Sequence, residues 1–199
     1  MRDLGGGRTA ADGFCWVDVL LAMALATLMA ALAVPLTARS LDALRARDAS
    51  AFVATRVRLA RQKAVGSAAG AALVFDRSPD GWAIRVCRDR NGNGVRRSDI
   101  EAGRDDCPDG PWRVAEMFPG MVFGRDARVP GFDAEPGTAD ALSLGRADMI
   151  SCSAGGGCTT GTVFLQSSGG EQYAVRIGGV AGRTRIMRFD RGAWRWLAA

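Results

Sequence analysis

A long apolar segment near the N-terminus most constrains what this chain of 199 residues can fold into. From Phe14 to Val34 there are 21 residues, and Asp18 is the one charged residue among them. About 20 apolar residues suffice to cross the hydrocarbon core of a bilayer as a helix. The sequence therefore predicts a helix that enters a membrane.

Asp18 is an unusual residue for such a helix. A carboxylate near the centre of a bilayer costs roughly 2.5–3.5 kcal/mol on insertion scales, and less near the helix end. Because an acid in this position usually has a partner or a function, we expect a charged partner for Asp18. In the alternative interpretation, its side chain extends to the lipid headgroups.

A secretory signal peptide is an alternative interpretation of the whole segment. The small residues of Ala30-Ala31-Leu32-Ala33 resemble a cleavage site. The apolar run is longer than the roughly 7–15 residues of a usual signal-peptide core, and it contains an acid. We therefore favour the membrane helix.

The start of the segment carries a family pattern. Gly13-Phe14 is followed by Asp18, an apolar helix and Pro35; counted from Phe14, the acid is the fifth residue and the proline the twenty-second. This pattern resembles the processing signal of type IV pilins and pseudopilins, which usually have glutamate where this chain has Asp18. The resemblance implies that a prepilin peptidase cleaves between Gly13 and Phe14 and methylates the new N-terminus. It also implies that Asp18 pairs with the terminal amine of a neighbouring subunit.

The same resemblance divides the chain into three parts. Residues 1–13 are a leader peptide, residues 14–38 the transmembrane and assembly half of an N-terminal helix, and residues 39–199 a periplasmic pilin-like domain. The roughly 150 residues after the helix suffice for one domain with a core, but hardly for two. The net charge of +5 does not by itself indicate a nucleic-acid partner.

Beyond Pro35 the sequence predicts a helix to about Ser67 and then a change to strands. The apolar face expected for this helix consists of Leu41, Leu44, Ala51, Phe52, Thr55 and Leu59, at three- and four-residue steps. Short runs separated by Gly, Pro or Asp predict strands at 71–76, 82–88, 112–118, 140–150, 161–166, 172–177 and 183–189. Residues 124–139 predict a surface loop. Short hairpins favour antiparallel pairing, so the predicted class is α+β, with the long helix packed on antiparallel β-sheets.

Four cysteines lie outside the apolar segment: Cys87, Cys107, Cys152 and Cys158. In a secreted domain such a set predicts two disulfides, and three pairings are open. Zinc is the competing interpretation, but the spacings lack a close Cys-x-x-Cys pair and the chain has no histidine. We expect disulfides and an oxidising compartment outside the inner membrane.

The C-terminal third narrows the family. Residues 161–165 (Gly-Thr-Val-Phe-Leu), 173–177 (Tyr-Ala-Val-Arg-Ile) and 182–185 (Gly-Arg-Thr-Arg) resemble the closing strands of the GspH/FimT group of minor pseudopilins. Members of this group are minor subunits of the type II secretion pseudopilus or assist type IV pili. Some bind DNA for uptake through arginines of a Gly-Arg-x-Arg segment, which correspond here to Arg183 and Arg185. The resemblance implies a role in filament assembly, with DNA binding as the alternative function.

The DNA interpretation has a physical basis in the C-terminal strand. Alternation places Arg183 and Arg185 on one strand face, where they can neutralise phosphates. Trp194 or Trp196 can stack on unpaired bases. The alternative is a solvated strand face with both tryptophans in the core, because arginine is abundant throughout this chain. The further arginines near this strand are Arg188, Arg191 and Arg195.

The segment 89–95 (Asp-Arg-Asn-Gly-Asn-Gly-Val) begins like a calcium loop. It has oxygen ligands at the first, third and fifth positions and glycine at the sixth, as in the EF-hand opening. The end of the loop differs, because the twelfth residue is Ile100 and an acid follows one residue late. A nonstandard calcium site would use the Val95 carbonyl and the side chains of Asp89, Asn91, Asn93, Asp99 and Glu101. The alternative is an Asn-Gly turn whose side chains cap the backbone.

Catalysis has little support in the sequence. The lack of histidine excludes Ser-His and Cys-His nucleophile arrangements. Ser151 and Ser153 form no nucleophile elbow, and no phosphate-binding glycine loop follows a strand. Asp105 and Asp106 lie in a polar loop where solvation is the simpler account. We expect a protein that is not an enzyme, whose partners are other pilins or pseudopilins, the prepilin peptidase, the inner membrane, and secreted cargo or DNA.

Overall fold

A computed structural model describes residues 15–79, 81–132, 140–178 and 182–199. The chain divides into two compact units, of which the first ends at Arg39 and the second begins at Ser40. The predicted cleavage site between Gly13 and Phe14 lies outside the described residues.

One long helix, α1, runs from Trp16 to Ser67 and contains Pro35. All of its residues in the first unit, 16–39, are exposed. Within the part of the chain that the structure describes, α1 is the one helix long and apolar enough to cross a membrane. Its end at Ser67 agrees with the boundary predicted from the sequence.

After α1 the chain forms mainly short strands. In order, these elements are β1 (Ala71–Ser78), β2 (Gly81–Arg88), α2 (Arg97–Glu101), β3 (Asp106–Arg113), α3 (Val114–Met117), β4 (Met121–Phe123), β5 (Leu142–Ser143), β6 (Met149–Cys152), β7 (Gly161–Ser167), β8 (Gln172–Gly178), β9 (Arg183–Asp190) and β10 (Arg195–Ala198).

All strand pairs are antiparallel and form two sheets. The first sheet has the order β3-β2-β1-β6. The second has the order β10-β9-β8-β7-β4, and β5 also pairs with β7. A long helix with antiparallel sheets is the predicted α+β arrangement.

Small residues form the face of α1 that is buried in the second unit. Six of its fully buried residues follow one another at steps of three and four: Ala46, Ala49, Val53, Val57, Ala60 and Ala64. Ser50 and Ala54 beside them are also fully buried. The predicted apolar face is wrong in part: Leu41 and Leu44 are 51% and 55% exposed and Thr55 is exposed, whereas Phe52 and Leu59 are half-buried and pack against the core. Alanine, serine and valine thus make up the fully buried part of α1.

A single core cluster joins this helix face to both sheets. Phe75 and Ile84 enter it from the first sheet, and Leu165 and Ile177 enter it from the second. Each is fully buried. Burial of such a side chain contributes roughly 1.5–3 kcal/mol to folding, so the two sheets and the helix depend on one shared core.

Two predicted strands and one predicted loop are corrected by the structure. The strand at 112–118 ends at Arg113, and the next four residues form α3 with Val114 buried. The strand at 140–150 divides into β5 and β6, because Gly145 and Asp148 have φ values of 73° and 46°, which an extended chain does not adopt. The predicted surface loop at 124–139 is partly internal: Arg125 and Val129 are buried. Residues 133–139 of that loop lie outside the described residues.

Candidate anion-binding face

Three exposed arginines meet on the face of the second sheet that points away from the core. Arg183 and Arg185 lie two residues apart on β9, and the strand register places Arg176 of β8 directly opposite Arg185. The three side chains line a cavity of about 300 Å³ together with Thr160 and Met187. Among the described residues, no carboxylate lies within ion-pair distance of these arginines. We call Arg176, Arg183 and Arg185 the arginine face.

Sequence reasoning missed Arg176. Its position across from Arg185 depends on the pairing of β8 with β9, which is a tertiary property. A signal was nevertheless present, because Arg176 stands between Val175 and Ile177, two residues that are fully buried. Alternation along a strand places a residue between two buried neighbours on the opposite, solvent-facing side.

Two other arginines of this region are engaged elsewhere. Arg188 donates to Glu171 over 3.0 Å and 3.3 Å. Its pKa is raised by the hydrogen bond and charge of Glu171. Arg191 Nη2 donates to the Gly170 carbonyl over 2.8 Å. These contacts separate Arg188 and Arg191 from the arginine face.

The two C-terminal tryptophans differ in their surroundings. Trp196 Nε1 donates to the Pro130 carbonyl over 2.9 Å, and the indole ring packs 5.0 Å from Phe132. Trp194 is 56% exposed and makes an edge contact with Phe189 at 5.3 Å between ring centroids. The interpretation that places both tryptophans in the core is therefore wrong for Trp194, which can offer its ring to a ligand.

The loop that follows β2 is held by its own carboxylates. Asp89 accepts hydrogen bonds from the backbone N–H groups of Asn91, Gly92 and Gly94 over 3.1, 2.8 and 2.8 Å. Asp105 accepts from the N–H groups of residues 90 and 96, each over 3.2 Å. These bonds are the turn-capping pattern named as the alternative to calcium.

Asp99 binds two of the other predicted calcium-loop side chains. Its Oδ2 accepts from the amides of Asn91 and Asn93 over 3.2 and 3.0 Å, and its Oδ1 accepts from Arg104 Nε over 2.9 Å. The Arg104 guanidinium first, and then the two amides, lower the pKa of Asp99 to about 2. Glu101 is exposed and does not join this group. Across the described ranges, no group of three or more His, Cys, Asp or Glu residues is placed to hold a metal ion.

Asp105 and Asp106 are not the solvated pair that the sequence suggested. Asp105 is buried and bonded to the backbone, as described above. Asp106 pairs with Arg88, whose Nη2 lies 2.6 Å from Oδ2. The hydrogen bond from Arg88 lowers the pKa of Asp106. Both carboxylates therefore have structural partners.

The four cysteines outside α1 form two disulfides, Cys87–Cys107 and Cys152–Cys158. The first closes the loop that contains Asp89, Asp99 and Asp105. The second closes a loop of five residues between β6 and β7.

Asp18 lies in the first turn of α1 and is exposed. Its backbone N–H donates to the Cys15 carbonyl over 2.9 Å. On the described part of the chain, no basic side chain forms an ion pair with its carboxylate. A charged partner would have to come from elsewhere.

The calcium interpretation makes a thermal prediction. We expect the same melting temperature in millimolar calcium and in chelator, because the Asp89 and Asp99 carboxylates already have hydrogen-bond donors. Asp99→Asn should lower the melting temperature equally in both conditions at neutral pH. This loss should shrink as the pH falls from about 4 towards 2, since a carboxylate with a lowered pKa stabilises the fold only while it is ionised. A calcium-dependent rise that Asp99→Asn abolishes would instead establish a metal site.

Comparisons with protein-family models, curated proteins and solved structures find no match for this chain. The resemblance to type IV pilins and to the GspH/FimT group therefore stays a prediction from the residues that carry it. The features available for inferring a function are one membrane-length helix, an α+β unit with two disulfides, and the arginine face.

Proposed function

We propose that this protein is a minor pilin or pseudopilin subunit that acts in the assembly of a type IV pilus or a type II secretion pseudopilus. One observation carries the proposal. Helix α1 begins with an exposed apolar segment that contains a single acid, Asp18, and ends with a face of small residues buried against two sheets. The apolar segment needs lipid or other apolar helices around it.

In this proposal the apolar segment lies first in the membrane and then in the filament. It first anchors the subunit in the bacterial inner membrane as a single span, with the disulfide-bonded unit in the periplasm, where disulfides form and persist. It then packs against the helices of other pilins or pseudopilins in the filament. The prepilin peptidase acts between these two stages, and secreted cargo is a further partner.

Asp18 provides the recognition step of assembly. An isolated carboxylate in an apolar helix bundle carries a desolvation penalty of several kcal/mol, which an ammonium group nearby offsets. Cleavage after Gly13 would create such a group at the N-terminus of a neighbouring subunit. The charge pair would favour insertion at the depth where the two groups meet.

Replacement of Asp18 tests this proposal. Removing one partner of a buried ion pair costs about 3–5 kcal/mol, so Asp18→Asn should reduce incorporation into filaments more than about a hundredfold. Asp18→Glu, which keeps the charge, should retain incorporation. The measurement is the fraction of the subunit in sheared filaments after co-expression with partner pilins and a prepilin peptidase.

Asp48 offers a matched control, because it is an exposed acid of the same helix outside the apolar segment. Asp48→Asn should assemble like the unaltered chain. Equal incorporation of Asp18→Asn and Asp48→Asn would contradict the proposed role of the charge pair.

DNA binding by the arginine face is the second candidate function. The observation that favours it is the placement of Arg176 directly across from Arg185 on neighbouring strands. Like charges directly opposite each other destabilise a sheet. A polyanion such as a DNA backbone would relieve this repulsion, and exposed Trp194 in the turn between β9 and β10 would add stacking on unpaired bases.

A salt series tests the second candidate function. We expect the full chain in nonionic detergent to bind duplex DNA with an affinity that falls steeply with salt. Arg176→Ala should reduce the slope of log K against log salt by about 0.9, the change for one neutralised phosphate. Arg58→Ala removes an exposed arginine of α1 and serves as the control for net charge. Binding that survives the double variant Arg183→Ala/Arg185→Ala would exclude the arginine face.

A further inference from the structure

Arg61 of α1 joins the Cys152–Cys158 loop to the beginning of β9. Its Nε donates to the Gly156 carbonyl, within that loop, over 2.8 Å. Its side chain also lies against Gly182, which is buried and immediately precedes Arg183. Three segments that are distant in sequence therefore meet at Arg61.

The junction leaves no room for a side chain at position 182. A Cβ atom added to Gly182 would lie 2.8 Å from Arg61 Cδ and 2.9 Å from the Gly156 oxygen. Gly182 also has a φ of +57°, a conformation that residues with a side chain rarely adopt. The start of β9 is thus held by direct contact with both Arg61 and the disulfide loop.

Backbone hydrogen bonds and a disulfide hold the Cys152–Cys158 loop that makes this contact. The N–H of Ser153 donates to the Gly157 carbonyl, and the N–H of Gly156 donates to the Ser153 carbonyl, each over 2.8 Å. These bonds and the Cys152–Cys158 disulfide fix the direction of the Gly156 carbonyl. Two residues after Cys158, Thr160 lines the cavity of the arginine face. The loop therefore borders the arginine face, to which β9 contributes Arg183 and Arg185.

We propose that Arg61 is a positioning residue for the arginine face. By binding the Gly156 carbonyl and packing on Gly182, it fixes the first residues of β9 and so sets where Arg183 and Arg185 point. Its effect on ligand affinity rests on the second candidate function, whereas its effect on β9 does not.

Two variants and one control test the proposal in the full chain in nonionic detergent. Arg61→Ala removes the hydrogen bond, whereas Gly182→Ala disturbs the same junction without changing any charge. A hydrogen bond to a charged group contributes enough free energy for its loss to have a roughly tenfold effect. We therefore expect, in both variants, about tenfold faster amide exchange over residues 183–187 and about tenfold weaker binding of duplex DNA. Arg58→Ala, which removes the same charge three residues away on α1, should change neither the exchange nor the affinity by as much.

The double variant separates a shared junction from two independent effects. Arg61→Ala/Gly182→Ala should have a smaller effect than the sum of the two single variants, because the clash of the added Cβ with Arg61 Cδ is absent from it. Unchanged amide exchange in both single variants would overturn the proposal. DNA binding that falls equally in Arg61→Ala and Arg58→Ala, but does not fall in Gly182→Ala, would also overturn it. If the unaltered chain binds no DNA, the second candidate function fails. The exchange rates then still decide whether Arg61 positions β9.

Discussion

Close packing of one helix face on two sheets is the constraint on which the second unit depends. Ala46, Ala49, Ala60 and Ala64 have no exposed surface. They belong to one core cluster with residues of both sheets, so a single core includes α1 and the two sheets. Adding methylenes to a well-packed core typically costs about 1–3 kcal/mol, so larger side chains at these positions would destabilise the second unit.

Polar side chains on the flanks of the same helix bind two strands and one loop. Asp42 accepts a hydrogen bond from Ser167 Oγ over 2.5 Å at the turn between β7 and β8. Arg61 reaches the Cys152–Cys158 loop, and Lys63 contacts Asp109 on β3. Helix α1 thus contributes to the core and also holds the loop that borders the arginine face.

Local patterns predicted those elements that local physics determines. The apolar run predicted the membrane-length helix, and alternation predicted β1, β2, β7, β8 and β9 to within a few residues. The buried face of α1 could not be predicted from hydrophobicity, because tertiary packing buries alanines such as Ala46 and leaves Leu41 and Leu44 exposed. The division of residues 140–150 into two strands depends on the positive φ values of Gly145 and Asp148. An aspartate in the sequence gives little indication that its φ is positive.

The candidate site could be predicted only in part, because local patterns determine some of its residues and the tertiary fold determines the others. Arg183 and Arg185 belong to one strand, so their common face followed from alternation. Arg176 and Arg61 join the site only through strand pairing and the packing of α1, which depend on the tertiary fold. The capping bonds of Asp89 and Asp105 likewise became distinguishable from a calcium site only once the backbone around them was defined.

Mass spectrometry of the N-terminus, after co-expression with a prepilin peptidase, tests most directly whether this chain is a pilin-like subunit. The proposed function predicts a mature chain that begins at Phe14 with a methylated amine, and an uncleaved chain when the peptidase is absent. A chain that keeps residues 1–13 in the presence of the peptidase would contradict it. So would cleavage after Ala33, which would identify the apolar segment as a secretory signal peptide.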